Sequence, residues 1–420
     1  MQIFGHYIEK HALYSYFISE KPNDDLFLSV VIPCFNEPNI IGSLNSLWDC
    51  DRPDCSVEVI VVINASEDSA ELSINQNKIS EQNIDEWLKI HSDEKFKFYK
   101  IVLNSLPKKD AGVGLARKIG MDEAVLRFDS INKANGVIIG FDADCKCMKN
   151  YFCEIEKLFK QNSKLDGCSI QFEHPLEGKE FDEFTYAAIA SYELYLRYYI
   201  EALKFAKHPF AFQTIGSSFA VRAEIYCKQG GMNKRKAGED FYFLQKIIQS
   251  ANYAELNTTK VFPSPRSSDR VPFGTGAAIG KMQLSGESNY MTYDLQAFED
   301  IAEIVEKSGD LFGAGEEKIK SVIEEFSISM QKFLMENDFT KNVIEINLNS
   351  NSQLTFNQRF FRWFNMFKVL KYMNYSHQVF YKPKPITEVA ISFLENCNCI
   401  TSCSNPKGLC EVYREINLNY

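Results

Sequence analysis

The chain has 420 residues, of which 45% are hydrophobic and 24% charged, with 33 Phe and 20 Tyr. That apolar content excludes a mainly disordered chain, and the length fits one large domain with an appendage, or two to three ordinary domains. Lys and Arg total 46 against 56 Asp and Glu, a net charge of −10, so a general nucleic-acid surface is excluded because phosphate contacts need a basic face.

No run approaches the ~20 consecutive apolar residues of a membrane-spanning helix. Residues 1–21 mix His, Glu, Lys and Tyr, with no apolar core or small-residue cleavage site. The expectation is a cytoplasmic protein. Twelve Cys are dilute in a chain this long, and Cys34, Cys168 and Cys227 sit in apolar runs where a reduced thiol acts as a small hydrophobe. Cys397, Cys399, Cys403 and Cys410 cluster near the C-terminus without the paired CxxC spacing of common zinc sites, and are read as free thiols.

In chain order, 28–33 is a β-branched run stopped by Pro33, followed at 40–48 by apolar residues at helical period. Residues 57–63 form a nearly unbroken apolar strand, as one buried on both faces should be. A polar helix over 68–91, a third strand near 96–103, a helix over 114–128 and a fourth strand at 136–141 follow. Strands alternating with helices predict an α/β fold with a mostly parallel sheet, whose ligands gather beyond the carboxyl ends of the strands.

Three polar clusters stand at those ends: Asn36-Glu37, Asn64-Ala65-Ser66 and Asp142-Ala143-Asp144. Further on, 181–205 reads as a Tyr-rich helix and 215–221 as a strand. Gly230-Gly231 reads as a turn, and Glu239-Asp240 as the start of an apolar helix. Beyond about 285 the pattern is helical, with a basic, aromatic stretch at 356–372. That stretch reads as a packed helix with a basic outer face, or as a peripheral membrane contact.

Two carboxylates one residue apart at the end of a buried strand suit a hard divalent cation, Mg2+ or Mn2+, that shares its ligands with substrate phosphates. Asp142 and Asp144 are therefore the candidate metal ligands. Glu239-Asp240 reads either as helix N-terminal carboxylates favoured by the macrodipole or as a general base.

Taken in order, these segments resemble the family 2 glycosyltransferases of the GT-A fold. The match rests on Ser29-Val30-Val31-Ile32-Pro33-Cys34-Phe35-Asn36-Glu37, on 112–120 (GVGLARKIG), on Asp142-Ala143-Asp144, and on Gly230-Gly231-Met232 followed by Glu239-Asp240. It covers roughly 28–280. The resemblance implies an N-terminal extension over 1–26, a GT-A catalytic domain over 27–285 and a helical C-terminal region over 286–420.

It also implies inverting, metal-assisted transfer of a sugar from a UDP- or GDP-sugar to the hydroxyl of a saccharide or lipid-linked acceptor. Asp240 would be the base, with Glu239 beside it. Pro33, Asn36, Glu37 and Asn64 would meet the nucleoside, and Arg117 and Arg270 the diphosphate, with Asp142 binding donor and metal. Two features depart from the family pattern. Ile63-Asn64-Ala65-Ser66 stands where an Asp-Asp-Gly-Ser stretch is usual, and a Gly-rich loop with Arg266 and Arg270 replaces the motif of processive relatives. A sugar nucleotidyltransferase, a degenerate non-catalytic GT-A binding module and a scaffold acting through its C-terminal helices remain alternatives. The Tyr-rich helix is either core or a stacking surface for an acceptor.

Overall fold

A computed structural model describes residues 2–250, 252–270 and 272–416. The chain forms two compact units: 1–175, 213–265 and 269–277 make the first, and 176–212, 266–268 and 278–420 the second. Among the described residues no helix is long and apolar enough to cross a membrane.

The elements run α1 (Gln2–His11), β1 (Leu26–Cys34), α2 (Ile40–Trp48), β2 (Ser56–Ser66), α3 (Glu71–Ile90), β3 (Phe96–Leu106), α4 (Val113–Ser130), β4 (Val137–Gly140), β5 (Lys146–Cys147), α5 (Tyr151–Gln161) and β6 (Gly167–Phe172). They continue with α6 (Glu183–Phe205), β7 (Phe219–Arg222), α7 (Ala223–Lys228), α8 (Glu239–Ile248) and β8 (Tyr253–Phe262).

The eight strands of the first unit form one sheet in the order β3-β2-β1-β4-β7-β6-β8-β5. Its β3-β2-β1-β4 half is wholly parallel, whereas β7 runs antiparallel to both β4 and β6. The fold is thus α/β, a mostly parallel sheet flanked by helices and followed by a helical C-terminal part. β1, β2 and β4 are buried along almost their whole length, which is why their sequences are continuous Val/Ile runs.

The order of the sheet positions the site. β1 lies between β2 and β4, pairing Cys34 with Ile63 on one side and Val31 with Gly140 on the other. The chain segments that leave β1, β2 and β4 therefore share one rim, at the crevice where strand order reverses. β7 starts at that rim, because its antiparallel register sets Phe219 opposite Gly140.

α4 crosses this sheet buried from Gly114 to Phe128, and its charges are matched inside. Lys118 pairs with Asp122 at 2.9 Å, Arg127 with Glu58, and Glu123 accepts the backbone N–H groups of Phe17 and Ile18. Tyr7 of α1 donates to Asp122 at 2.7 Å, so the N-terminal segment forms part of the cover over α4. A side chain on Gly120 would strike Val31 and Val62, and its absence lets helix and sheet approach.

Several elements differ from the sequence reading. The stretch 215–221 is a strand only from Phe219, because 215–218 bends to form the rim. The short helix α1 and the strands β6 and β8 were not anticipated; β8 (YAELNTTKVF) is too polar to read as a buried strand.

The second unit is built from α6 and the helices between Leu295 and Ile416. Asp182 caps α6 by accepting from the Thr185 N–H at 2.7 Å. Tyr198 packs against Phe298 and Phe393 in the core of this unit, while Tyr195 stacks on Tyr290 with ring centroids 4.6 Å apart. Glu193 is fully buried and receives both Arg197 (2.8 Å) and Arg414 (2.7 Å).

The stretch 356–372 is two helices broken at Asn365, which caps the second by accepting from Phe367 and Lys368 N–H. Phe356, Phe360 and Phe364 are buried, with Arg359, Arg362 and Lys371 outward.

Candidate active site

Beyond the end of β4 the chain alternates: Ala143 turns into the core while Asp142 and Asp144 face outward, half-buried. Two anchors hold this turn. The Ser43 hydroxyl of α2 donates to the Ala143 carbonyl at 2.7 Å, and the Cys145 N–H donates to the Asp142 carbonyl at 3.1 Å. The carboxylates are thus presented by a fixed backbone rather than by a mobile loop.

Arg117 stands at the centre of the site. It projects from the second turn of α4, is 3% exposed, and ion-pairs through one guanidinium nitrogen with Asp142 and through another with Glu239. Glu239 is itself 3% exposed, so this pair lies inside the protein. Such a pair is costly to desolvate and more costly still to break, because the surviving partner is left as an uncompensated buried charge. Gly216, just before β7, makes room for it: a side chain there would run into the Arg117 guanidinium.

Glu239 and Asp240 form the first turn of α8, entered through Gly238 in the left-handed region at φ 68°, where glycine is unstrained. The backbone of this turn is tied from the loop before it, since Asn233 Nδ2 donates to the Glu239 carbonyl at 2.8 Å. Asp240 accepts from the Phe241 N–H at 2.7 Å and from the Gly216 backbone. The helix N-terminus favours both carboxylates.

One guanidinium serves three carboxylates here. Burial by itself would loosen the Arg117 proton, but Asp142, Glu239 and Asp240 outweigh it and hold the guanidinium charged. Burial pushes Glu239 up to about 7, against the pull of Arg117 and with help from Asp240 and Asp142. Asp240 is raised too, by burial first and by Asp142, with Arg117 opposing. Arg117 and Glu239 are therefore both raised: the arginine holds its proton more firmly and the buried acid more readily takes one. The shared charge explains it: a single cation cannot compensate Asp142, Glu239 and Asp240 together, so protonation falls on the buried acids. Carboxylates whose proton affinity is raised in this way are suited to proton transfer.

Arg270 reaches the opposite side of the same rim. It donates to the Phe35 carbonyl at 3.0 Å, lies 3.4 Å from Glu37, and approaches Asp144 at 3.6 Å. Glu37 is buried and accepts from the Asn39 N–H at 2.9 Å. Each carboxylate of the Asp142–Asp144 pair therefore already faces a cationic group.

Among the described residues, no group of three or more His, Cys, Asp or Glu is placed to hold a metal. Two hard, half-buried oxygen donors in a place built for positive charge do fit Mg2+ or Mn2+. Such ions keep several waters and complete their shell with substrate phosphates rather than with a full protein cage.

The end of the rim at β1 and β2 is different in kind. Pro33 lies half-buried near the end of β1, Asn36 is exposed with φ 50°, and Asn64 is buried at the end of β2. All ten residues singled out from the sequence (Pro33, Asn36, Glu37, Asn64, Arg117, Asp142, Asp144, Glu239, Asp240 and Arg270) belong to the first unit, whereas Arg266 falls in the second.

Sequence reasoning missed Gly216, Ser43, Asn77 and Asn233. Gly216 carried a signal, a glycine next to an apolar strand, which often marks a close backbone approach. Asn77 carried one as well: Ser80, Ile84 and Trp87 follow it at helical spacing and mark the buried face of α3.

No protein-family model matches the chain, and no curated protein sequence matches it. Several solved structures share a distant likeness. Residues 1–349 of S. aureus TarS match at 15% identity over 57% of this chain and 60% of that one, with a TM-score of 0.36. The same fragment in complex with UDP-GlcNAc matches at 14% identity over 93% and 92%, with a TM-score of 0.37. A mannosyltransferase of Pyrobaculum calidifontis, PcManGT, in complex with GDP-Man and Mn2+, matches at 12% identity over 85% and 92%, with a TM-score of 0.38. In the first of these matches the chain spans less than two thirds of the TarS fragment. Likenesses this distant assign neither a ligand nor a reaction.

Proposed function

We propose that the chain is a glycosyltransferase of the GT-A kind. It would move a hexosyl group from a UDP- or GDP-sugar to an acceptor hydroxyl, on a saccharide or a lipid-linked glycan, by a single inverting displacement. The observation that carries this reading is the Asp142–Arg117–Glu239 arrangement. It fastens a strand-end carboxylate pair suited to a cation and a diphosphate to a carboxylate pair with raised proton affinity, on one rim of a parallel sheet. The order of motifs along the sequence supports it.

Asp142 and Asp144 would hold Mg2+ or Mn2+, which when bound neutralises charge growing on the departing diphosphate. Arg270, at the mouth between Glu37 and Asp144, is placed to meet the same diphosphate. Arg117 is too enclosed for that duty; its work is to fix Asp142 and Glu239 at a constant separation.

Asp240 removes the proton from the attacking hydroxyl as the new bond forms, and Glu239 sets its charge and orientation. Attack comes from the face opposite the leaving diphosphate, hence inversion. The half-buried setting of Asp240 keeps its carboxylate within reach of an incoming hydroxyl.

The test is Asp240→Asn in the full chain. Binding of the nucleotide sugar should stay within about twofold, while transfer falls by roughly 10²–10⁴, the usual worth of a positioned base. Transfer at the parent rate would remove Asp240 from the mechanism.

A further inference from the structure

Between the ends of β1, β2 and β3 lies a buried side chain that the reaction as described does not use. Asn77, on α3, is fully buried. Its Oδ1 accepts the Asn36 N–H at 2.9 Å, and its Nδ2 donates to the Asn64 carbonyl at 3.0 Å and to Asn104 Oδ1 at 3.2 Å. One amide thus ties together the carboxyl ends of three adjacent parallel strands.

The direction of these bonds fixes the amide's orientation, since the Asn36 N–H is a donor and the other two partners are acceptors. A buried amide meeting three partners in three segments is a specifying contact, because any displacement of one segment orphans a polar group. Asn36 needs that help. Its backbone sits at φ 50°, a conformation uncommon for a side-chain-bearing residue. One turn along α3, Ser80 donates to the Glu37 carbonyl at 2.7 Å, so the helix holds the backbone of both Asn36 and Glu37.

We infer that Asn77 is a positioning residue for the nucleoside end of the donor site: without touching the donor, it holds Asn36 and Asn64 where both meet the nucleoside. This rests on the glycosyltransferase reading above. Apart from the Glu37 carboxylate, which accepts from the Asn39 N–H and lies 3.4 Å from Arg270, the groups that Asn77 holds at this end are neutral. Amide groups, each offering donor and acceptor, shape the place for the base, and the affinity they set belongs to the nucleoside alone. The diphosphate belongs to the carboxylate and arginine end.

The experiment titrates UDP, GDP and inorganic diphosphate, each with Mn2+, into the full chain and into Asn77→Asp and Asn77→Ser. The aspartate keeps the bond from Asn36 but loses both donor bonds; the serine shortens the group without adding charge. Asn45→Ala serves as the comparator. It deletes a part-buried bond between α2 and α3, the one Asn45 accepts from Trp87 Nε1 at 2.6 Å, away from the rim.

The expected result is at least a roughly tenfold weaker Kd for the nucleoside diphosphate that the parent binds, the scale of one or two buried hydrogen bonds. Inorganic diphosphate should bind within about twofold of the parent, and Asn45→Ala should bind nucleotide like the parent. In sugar transfer, KM for the donor should rise while kcat at saturating donor holds.

Nucleotide binding unchanged in the variants would overturn the inference. So would a parallel loss of inorganic diphosphate, or the same nucleotide loss in Asn45→Ala, since either marks general loosening. If Asn77→Asp does not fold, the serine variant decides by the same criteria. If the parent binds neither UDP nor GDP, the donor reading itself fails and takes this inference with it.

Discussion

The two ends of the rim solve the same problem, holding side chains still at the mouth of a parallel sheet, by opposite means. At one end Asn77 fastens Asn36, Asn64 and Asn104 through neutral hydrogen bonds. At the other, Arg117 fastens Asp142 and Glu239 through buried charge. Neutral bonds order the backbone and leave protonation alone. Buried charge orders the side chains and couples them to pH, because a cation shared by three acids leaves an excess of negative charge. The contrast suggests a division of labour, with recognition at the amide end and proton and phosphate chemistry at the charged end.

Removing the anchors should show the largest difference between the ends. Arg117→Met leaves Glu239 buried without its cation, a change that costs roughly 3–5 kcal/mol. The half-exposure of Asp142 and the readiness of Glu239 to take a proton hold the effect to the low end of that range. Asn77→Ser removes neutral bonds only and should cost about 1–3 kcal/mol. Urea unfolding of both variants beside the parent measures the gap. Equal losses would mean that Arg117 is no more an anchor than an ordinary buried amide.

The pH response should separate the ends more finely. Glu239 is raised to about 7 and Asp240 is raised with it, and the two titrate as a pair. A base must be deprotonated to act. Transfer should therefore begin to fall, as pH drops, well above the ~3.9 of an ordinary aspartate, whereas an unperturbed base would stay active to about pH 5.

The stability sign runs the other way. A raised acid binds its proton more tightly in the folded state. The stability this gives is complete below about 4.5 and is lost as pH rises from there to about 7, where the unfolded chain has already released its proton. Nucleotide binding at the amide end should stay flat across the same range. A pH–rate profile with a parallel nucleotide titration distinguishes the two, and a common pH dependence would erase the distinction.

Much of this was legible in the sequence, for physical reasons. β1, β2 and β4 are buried on both faces and so read as unbroken apolar runs, and the polar clusters that follow them stand out by contrast. The carboxylates at 142, 144, 239 and 240 were visible for the same reason. What a side chain pairs with over a hundred residues away was not. Arg117 looked like a partner for a diphosphate, and only the fold places it between Asp142 and Glu239.

Gly216 and Asn77 matter through close approach and burial, which spacing hints at but does not determine. β6 and β8 escaped notice because β6 is short, with Ser169 and Gln171 alternating with its apolar residues, and β8 carries Thr and Lys, unlike the strands on the parallel side.

We propose above all that this rim binds a nucleotide sugar through a divalent cation held by Asp142 and Asp144. Calorimetric titration of UDP- and GDP-sugars into the full chain, with and without Mn2+, tests it most directly when repeated with Asp144→Asn. At least one nucleotide sugar should bind, omitting Mn2+ should weaken it by tenfold or more, about 1.4 kcal/mol, and Asp144→Asn should abolish the Mn2+ dependence. No binding by any nucleotide sugar, or binding indifferent to both Mn2+ and Asp144, would contradict it.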